Sequence, residues 1–475
     1  MLYRFLTISF ALIFFCMKSA YAEPKQMTLR EAIYLALAYN VSIENEELRR
    51  IADKFNLKVV YNHYQWQYGF AGNVGYTSSK VGGRTEESTS SALTPTANKT
   101  GVYGTTYSLN LTNPSNNGIY NPGINLSVTQ PLMRGFGKQI SLTPLYNAED
   151  SELISRLGFK NSVIQVVTQV TNAYNTLIQA QNQVEISELT LKAYQQTIAN
   201  VRANIKAGRQ AETDVLQAES NYASELINLK GAKNSVLTST RDLLNLIGVP
   251  PDKEIIIDKT PYSHLPEIPS QYEAYQTALE NNIQYRSDLL SLESLRRALL
   301  VAKDEMRPAF NLTLNATTGG GSGRGINAGF ESLFNNKNTS ASAQLDFDVP
   351  IRNYSIKQNL INAQVQLAQA EINLSQELRT LKTTILNNIA DTQTSIDQID
   401  LSKKAIELQR KDQQQLNAKL RYGLASVFEV NTRQHDLAQA MNQLVNDQIN
   451  YINSLTVLYA NMGILLDVWQ IDINY

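Results

Sequence analysis

Cysteine is nearly missing from this 475-residue chain: it has one, Cys16, beside three histidines (His63, His264 and His435) and two tryptophans. A single cysteine forms no internal disulfide, and none of the histidines stands in a metal-ligand spacing, so disulfide scaffolds and zinc sites are excluded. Nucleophile-elbow and Walker sequences are also lacking. The glycines of Gly319-Gly320-Gly321-Ser322-Gly323-Arg324-Gly325 have no Lys-Ser/Thr after them and read as a flexible loop between strands. Neither sign of charge is in excess: 42 Lys+Arg against 43 Asp+Glu leave a net charge of −1. That removes the electrostatic footprint a nucleic-acid partner requires. The expectation is a protein that is not an enzyme, with no catalytic residues, no cofactor and no metal.

Long apolar runs are scarce too. Arg4, the run from Phe5 to Phe15 and the small-x-small sequence Ala20-Tyr21-Ala22 read as a secretory signal peptide over residues 1–22. The run is shorter than the roughly 20 residues of a permanent membrane helix. Cys16 lies inside it, preceded by Ile13-Phe14-Phe15 without the small residue of a lipoprotein signal, so no lipid anchor is expected. Beyond residue 22 no stretch reaches membrane-helix length, which leaves two readings open: a soluble periplasmic protein or a β-barrel.

What is present is a repeat. Glu31-Ala32, Ala36-Leu37 and Asn40 match Glu273-Ala274, Ala278-Leu279 and Asn282; Gln130-Pro131-Leu132 matches Val349-Pro350-Ile351. From Asn147 onward the offset holds at 215 residues, pairing Asn147-Ala148 with Asn362-Ala363, Gly208 with Gly423, Asp214-Val215 with Glu429-Val430, and Gly248 with Gly463. Each half reads helix, extended hairpin, very long helix, glycine turn and return helix. The division is a first repeat over 23–250, a linker over 251–271, a second repeat over 272–463 and a C-terminal segment over 464–475.

Opening helical segments are expected over 28–62 and 272–306, long helices over 144–207 and 356–422, and return helices over 213–247 and 427–462. At 1.5 Å per residue the long ones reach on the order of 100 Å. Val163, Val170, Leu177, Val184, Leu191, Ile198 and Ile205 recur every seventh residue, a period that implies left-handed supercoiling. The second half is weaker, with Leu378, Ile385, Ile399, Ile406 and Leu420 in register and Thr392 and Gln413 interrupting. Frequent Gln and Asn fit either a wet interior face or an ordinary solvated coiled coil.

The strands carry membrane-type alternation. Trp66, Tyr68, Phe70, Val74 and Tyr76 alternate with Gln67, Gly69, Asn73, Gly75 and Thr77; Phe310, Leu312 and Leu314 with Asn311 and Thr313; Leu345 and Phe347 with Gln344, Asp346 and Asp348. Residues 78–100 and 319–340 read as external loops. The expected strands are 66–79, 101–130, 308–318 and 341–350. The first half offers three candidates (66–79, 101–112 and 122–130), so one does not span or the last two are one interrupted strand. Four spanning strands per subunit cannot close a barrel, and open edges in lipid are forbidden, so the chain must oligomerise. Two copies give eight strands and a filled bore; three give twelve and a channel.

The signal, the repeat, the paired strands, the run Gln130-Pro131-Leu132-Met133-Arg134-Gly135-Phe136-Gly137 and the two glycine turns together resemble the TolC-type outer-membrane efflux family across the whole mature chain. The resulting fold class is mainly α with a membrane β-barrel contribution, its coiled-coil-like helices forming a periplasmic tunnel. The resemblance implies a homotrimer in outer-membrane lipids, working with a periplasmic adaptor protein and an inner-membrane transporter as a passive exit duct of a tripartite efflux or type I-like secretion system. It further implies that Asp214 and Glu429 ring the periplasmic entrance, one helical turn past Gly208 and Gly423. In a three-fold assembly each makes three carboxylates that favour cations; helix N-terminal acids favoured by the macrodipole are the other reading. Thr432, Leu420 and Ala425 stand where some members carry a second acid, a tyrosine and an arginine, which leaves Arg209 and Arg421 as latch candidates. Gly208, Gly423, Ala211 and Ser426 would lie at the adaptor-facing tips. The rival is a soluble periplasmic coiled-coil adaptor or scaffold.

Overall fold

A computed structural model describes residues 26–258, 268–319, 322–325, 327, 331 and 338–473. The expected signal peptide, with Cys16, lies outside the described residues, as does His264 in the linker. In chain order the elements are α1 (Leu29–Tyr39), α2 (Val41–His63), β1 (Gln67–Val81), β2 (Arg84–Thr100), β3 (Thr106–Thr112), β4 (Ser115–Asn116), β5 (Ile119–Tyr120) and β6 (Gly123–Pro131). Then follow α3 (Lys138–Ser141), α4 (Thr143–Lys206), α5 (Thr213–Leu246), α6 (Gln271–Asn281), α7 (Ile283–Glu305), β7 (Ala309–Gly319), β8 (Gly323–Arg324), β9 (Asn338–Asp348), α8 (Tyr354–Arg421), α9 (Val427–Met462) and α10 (Leu465–Val468). Two compact units result: one from the described parts of Met1–Glu47, Lys160–Asn282 and Thr380–Tyr475, the other from Leu48–Phe159 and Ile283–Arg379.

The first unit is helical, and its core follows the heptad. Val163, Val170, Leu177 and Leu191 of α4 are buried, with Val166, Ala180, Ser187, Tyr194 and Val201 three places on. On α8, Ile385, Ile399 and Leu420 are buried, and so are the interrupting Thr392 and Gln413. Thr392 solves its own polarity by donating its hydroxyl to Asn388 O at 2.6 Å, which is how a hydroxyl enters an apolar stripe without an orphaned group.

The repeat is legible here as one device built twice. Thr28 and Glu31 form a capping box on α1, Ser270 and Glu273 on α6. Both opening segments then break at asparagine, where a single helix was expected. Asn40 and Asn282 leave the helical region (ψ 127° and 124°), and each side-chain amide donates to a carbonyl two residues before the matching glycine: Asn40 to Leu246 O at 2.8 Å, Asn282 to Asn461 O at 2.9 Å. The break exists because that amide closes a bond more than 170 residues away in sequence, which no local pattern encodes. The glycines, Gly248 and Gly463, sit at φ 69° and 77°.

In the same unit an isolated parallel bridge joins Met27 to Ile257: Met27 N donates to Ile256 O at 2.7 Å and Asp258 N to Met27 O at 2.9 Å. Tyr174, fully buried on α4, places its hydroxyl 2.9 Å from Met27 O and 2.7 Å from Asp258 O. Burial, with a smaller contribution from the nearby Asp258 carboxylate, pushes its pKa well up, so it stays a donor.

The second unit carries a nine-stranded antiparallel sheet among the described residues. Its long members lie in the order β1-β2-β3-β6-β7-β9. Two expectations need correction. Residues 78–100 are not a loop: they finish β1 and form the 17-residue β2. Serine, threonine and glutamate dominate β2, and its pairing with β1 over fifteen positions, from Gln67↔Asn98 to Val81↔Arg84, overrides that composition. The stretch 101–130 is not one strand: β3 and β6 pair with each other, separated by the β4 and β5 excursion. Six strands of this sheet are seven residues or longer among the described residues. The glycine loop also contributes β8, paired with β5.

Buried charge in this unit is paired. Arg50 of α2 donates to Glu152 of α4 at 2.6 Å, and Arg156 reaches the same carboxylate at 2.8 Å. Burial alone would push the Glu152 carboxyl up; the two guanidinium groups outweigh it and hold the pKa below its usual range.

Candidate functional site

Register makes the sheet two-faced. One cross-strand row runs Gln67, Asn98, Ser108, Ser127, Asn315, Ser342; the next runs Tyr68, Ala97, Leu109, Leu126, Ala316, Ala341. The first is polar and uncharged at all six strands, the second apolar at all six. A further row runs Gly69, Thr96, Asn110, Asn125, Thr317 and Ser340 on the polar face, and another Tyr107, Val128, Leu314 and Ala343 on the other, where β2 contributes Lys99. Since side chains alternate with a period of two, a slip of one residue in any pair would mix the faces.

The apolar face is open. Tyr68, Phe70 and Val74 of β1 are 81%, 73% and 89% exposed and Phe347 of β9 is 72% exposed. From Tyr68 to Tyr76 the apolar positions span roughly 26 Å along the strand at about 3.3 Å per residue, close to the height of the apolar band of an outer-membrane barrel. Aromatics gather at the helix-facing end: Trp66 lies 6.3 Å from Tyr107 between ring centroids, Phe310 6.1 Å from Phe347, and Tyr103 6.3 Å from Phe136. Such a girdle belongs at a membrane interface. Among the described residues no helix is long and apolar enough to cross a membrane.

Strand and helix are joined by the Met133-Arg134-Gly135-Phe136-Gly137 run. Gly135 N donates to the Asp304 carboxylate at 2.6 Å, and Gly137 N to Tyr103 O at 3.3 Å. The turn between β2 and β3 is held against this run: a Cβ on Gly104 would stand 3.1 Å from the Pro131 ring and meet the Gly135 backbone.

In the helical unit the two glycine turns come together. Gly208 (φ 73°) donates to Ile205 O at 2.9 Å while Arg209 N reaches Asn204 O at 2.9 Å; Gly423 (φ 74°) and Leu424 repeat this with Leu420 O at 3.0 Å and Lys419 O at 2.9 Å. Each is a Schellman ending, which needs the left-handed residue that glycine supplies. Val201, Ala218, Leu420, Ala425, Val427 and Val430 form one buried cluster beneath them. Asn204 ties the turns by donating to Leu420 O at 2.7 Å. Leu420 and Ala425 thus serve as core, at positions where the latch residues of some relatives were sought.

Of the entrance candidates, Glu429 is exposed and turns back into a capping box: Ser426 N and Oγ both lie 3.0 Å from its carboxylate, and Glu429 N donates to Ser426 Oγ at 3.1 Å. The Ser426 backbone N–H, then its hydroxyl, hold the carboxyl below its ordinary range. Asp214 is half-buried in the first turn of α5, whose N-cap residue, Glu212, makes no side-chain cap hydrogen bond. Ala211, Arg209 and Arg421 are exposed, and Gly423 faces Arg209, whose Cβ a Cβ at Gly423 would approach to 3.5 Å. Sequence reasoning missed the exposed apolar residues of this tip, Tyr422, Leu424 and Phe428; they break the heptad and gave no periodic signal.

Comparison with known proteins agrees with this geometry. The family model described as outer membrane efflux protein matches residues 86–249 and 274–464. The chain belongs to the outer membrane efflux protein family. Among curated relatives, the probable efflux pump outer membrane protein TtgC of Pseudomonas putida is 23% identical over 337 residues, which span 69% of this chain and 66% of that protein. The outer membrane protein TolC of Vibrio cholerae is 23% identical over 395 residues, 82% of this chain and 86% of that one. Among solved structures, CusC superposes with a TM-score of 0.71 at 17% identity, covering 94% of this chain and 95% of the other. The family match selects the outer-membrane reading over the soluble adaptor or scaffold.

Proposed function

We propose that this chain is the exit duct of a tripartite export assembly: a passive, homotrimeric outer-membrane channel fed by an inner-membrane transporter through a periplasmic adaptor. The observation that carries the reading is the sheet's segregation into one mainly apolar, aromatic-rimmed face and one polar face, with cross-strand rows that run through six strands. Lipid satisfies the first face and water the second. The description of TtgC as an efflux pump's outer membrane protein supports a pump partner.

In this reading the tips formed by Gly208, Ala211, Gly423 and Ser426 meet the adaptor, and Asp214 and Glu429 each form a ring of three carboxylates at the entrance, with Arg209 and Arg421 beside them. Three negative charges on one ring raise the local cation concentration. Single-channel recording of the purified protein in a planar bilayer tests both levels. Discrete conductance steps support the channel, and loss of cation preference in Asp214→Ala/Glu429→Ala supports the rings. Steps with unchanged preference remove the rings alone; a protein that stays soluble without detergent and never inserts removes the channel.

A further inference from the structure

We infer that the cleft where α3 meets the end of α7 is a headgroup site for an anionic glycerophospholipid. Its phosphate sits among Lys138, Lys303 and Arg307, and its glycerol and upper acyl chains lie against Tyr103, Phe136 and Leu300. The inference rests on the channel reading above, which brings this end of the sheet to a lipid–water boundary, and goes beyond it in naming a lipid class and the side chains that select it.

The cleft encloses about 490 Å³ and is built within one chain from two walls. Leu300, Lys303 and Asp304 in the last turns of α7, with Arg307 just past its end, recur at three- and four-residue spacing and so share one face. Opposite them, the β2–β3 turn supplies Tyr103, and the run into α3 supplies Phe136 and Lys138. Hydrogen bonds brace the walls: Gly135 N donates to Asp304 Oδ2 at 2.6 Å, Gly137 N to Tyr103 O at 3.3 Å, and Ser141 Oγ to Gly101 O at 3.3 Å. A cleft held in this way exists before its ligand arrives, which lowers the ordering cost of binding.

Its chemistry divides into a charged half and an apolar half. Lys138, Lys303 and Arg307 set three positive charges against the one carboxylate of the lining, Asp304. That carboxylate is 6% exposed and already engaged by Gly135 N and by Arg307 Nη1 at 3.1 Å. Lys138 and Lys303 are exposed, and among the described residues neither is paired with a carboxylate. Lys138 Nζ instead stands 5.6 Å from the Tyr103 ring centroid, which keeps its ammonium at the cleft. Next to this charge, Tyr103 and Phe136 stack at 6.3 Å, each about half exposed, with Leu300 beside them. A free phosphate would cover the cations and leave the rings in water; a phospholipid covers both. Position agrees with chemistry. Tyr107, on the apolar face of the sheet, lies over Gly101, and Thr105 bonds Gln130 of the same face, so the turn that carries Tyr103 meets the apolar face at its helix-facing end. Lys99 repeats the pairing of cation and ring there, 5.9 Å from the Trp66 centroid. Rings and basic side chains gathered at one level mark the depth of lipid headgroups.

Native mass spectrometry of the delipidated full chain in detergent, titrated with dioleoyl phosphatidylglycerol, counts the lipids held per subunit. A tightly held phosphatidylglycerol on each subunit is expected, with phosphatidylcholine held more weakly. Each lysine near an anionic lipid is worth about fivefold, so Lys138→Gln/Lys303→Gln should weaken binding about 25-fold. Lys192→Gln/Lys230→Gln removes the same charge from exposed positions on α4 and α5 in the helical unit and should leave binding unchanged. Equal binding by the native chain and the Lys138/Lys303 variant overturns the site. Displacement of the lipid by an equimolar amount of inorganic phosphate overturns its assignment to a lipid. If the double variant fails to fold, the native chain decides: its preference for phosphatidylglycerol over phosphatidylcholine should shrink as salt rises from about 0.05 to about 0.5 M, and a preference indifferent to salt overturns the charge recognition. Conductance of the same preparation in a planar bilayer separates the two readings. A conducting protein that fails the lipid test loses this site and keeps the channel; a protein that never conducts loses the channel and, with it, the membrane that supplies the lipid.

Discussion

Four glycines end four long helices with the same backbone, yet replacing them with alanine should separate them into two pairs. Gly208, Gly423, Gly248 and Gly463 have φ of 73°, 74°, 69° and 77°, so each alanine pays about 1–2 kcal/mol for the left-handed conformation. A Cβ at Gly208 meets nothing within 4 Å, and at Gly423 only ordinary contacts. At Gly248 it would stand 2.6 Å from both Cβ and O of Tyr39, and at Gly463 2.6 Å from the Asn281 carbonyl carbon and 3.2 Å from its Cβ. Backbone cannot retreat there without pulling Asn40 off Leu246 O, or Asn282 off Asn461 O. Losing that bond and exposing a buried carbonyl adds roughly 1–3 kcal/mol. Gly248→Ala and Gly463→Ala should therefore cost about 2 kcal/mol more than Gly208→Ala and Gly423→Ala, which at a urea slope of about 1–3 kcal/mol per molar moves the midpoint by about 1 M. Urea unfolding in detergent, followed by circular dichroism, reads the order directly. Equal midpoints for all four, or a larger loss at Gly208, would refute the claim that the asparagine locks hold the ends of the return helices.

Breaking the buried pair with Arg50→Met should destabilise the protein by about 3–5 kcal/mol, since Glu152 is left charged and underpaired; the unfolding midpoint checks it. Because the Glu152 pKa is lowered in the folded state, its contribution is present above the ordinary glutamate range and is lost as pH falls through the depressed value, so Glu152→Gln should flatten stability between about pH 5 and 3. Tyr174→Phe removes the donor to Met27 O and Asp258 O, and should cost about 1–2 kcal/mol with faster proteolysis at residues 249–258. Glu429→Gln keeps a capping-box residue at the same position while removing its charge, so entrance selectivity should change and the melting temperature should not. Ser426→Ala should do the reverse, at about 1 kcal/mol of stability.

The helices were readable because their period is written in adjacent residues: Val163 through Leu191 alone marks the buried stripe of α4. Glycine at a fixed offset located the turns because only the left-handed region explains it twice. The breaks at Asn40 and Asn282 were not readable, since their cause is a carbonyl far along the chain. Strand β2 was hidden for a related reason. Thr89, Ser91, Leu93, Pro95 and Ala97 make a weak apolar face, and only pairing with Val74, Gly72, Phe70 and Tyr68 shows that they belong to one. At the second glycine turn, sequence placed Glu429 one turn past the glycine but could not show that Ser426 occupies its carboxylate.

The two repeats diverge where the physics allows it. In the helical unit each repeat ends in an asparagine-to-carbonyl lock and a glycine that tolerates no side chain, so residues there keep step at an offset of 215, from Gly248 to Gly463. Sheet construction imposes a weaker condition: the chain must leave a helix, return to one, and so cross an even number of times. Two long strands in the second repeat and four in the first both satisfy it. Adding a hairpin costs no change in the helices, provided the new turn reaches the junction and the new rows keep their faces. Gly104 against Gly135 and Pro131 meets the first proviso, and the register of β1 and β2 meets the second. The sheet can therefore gain strands in pairs while the glycine turns of the helical unit keep their geometry.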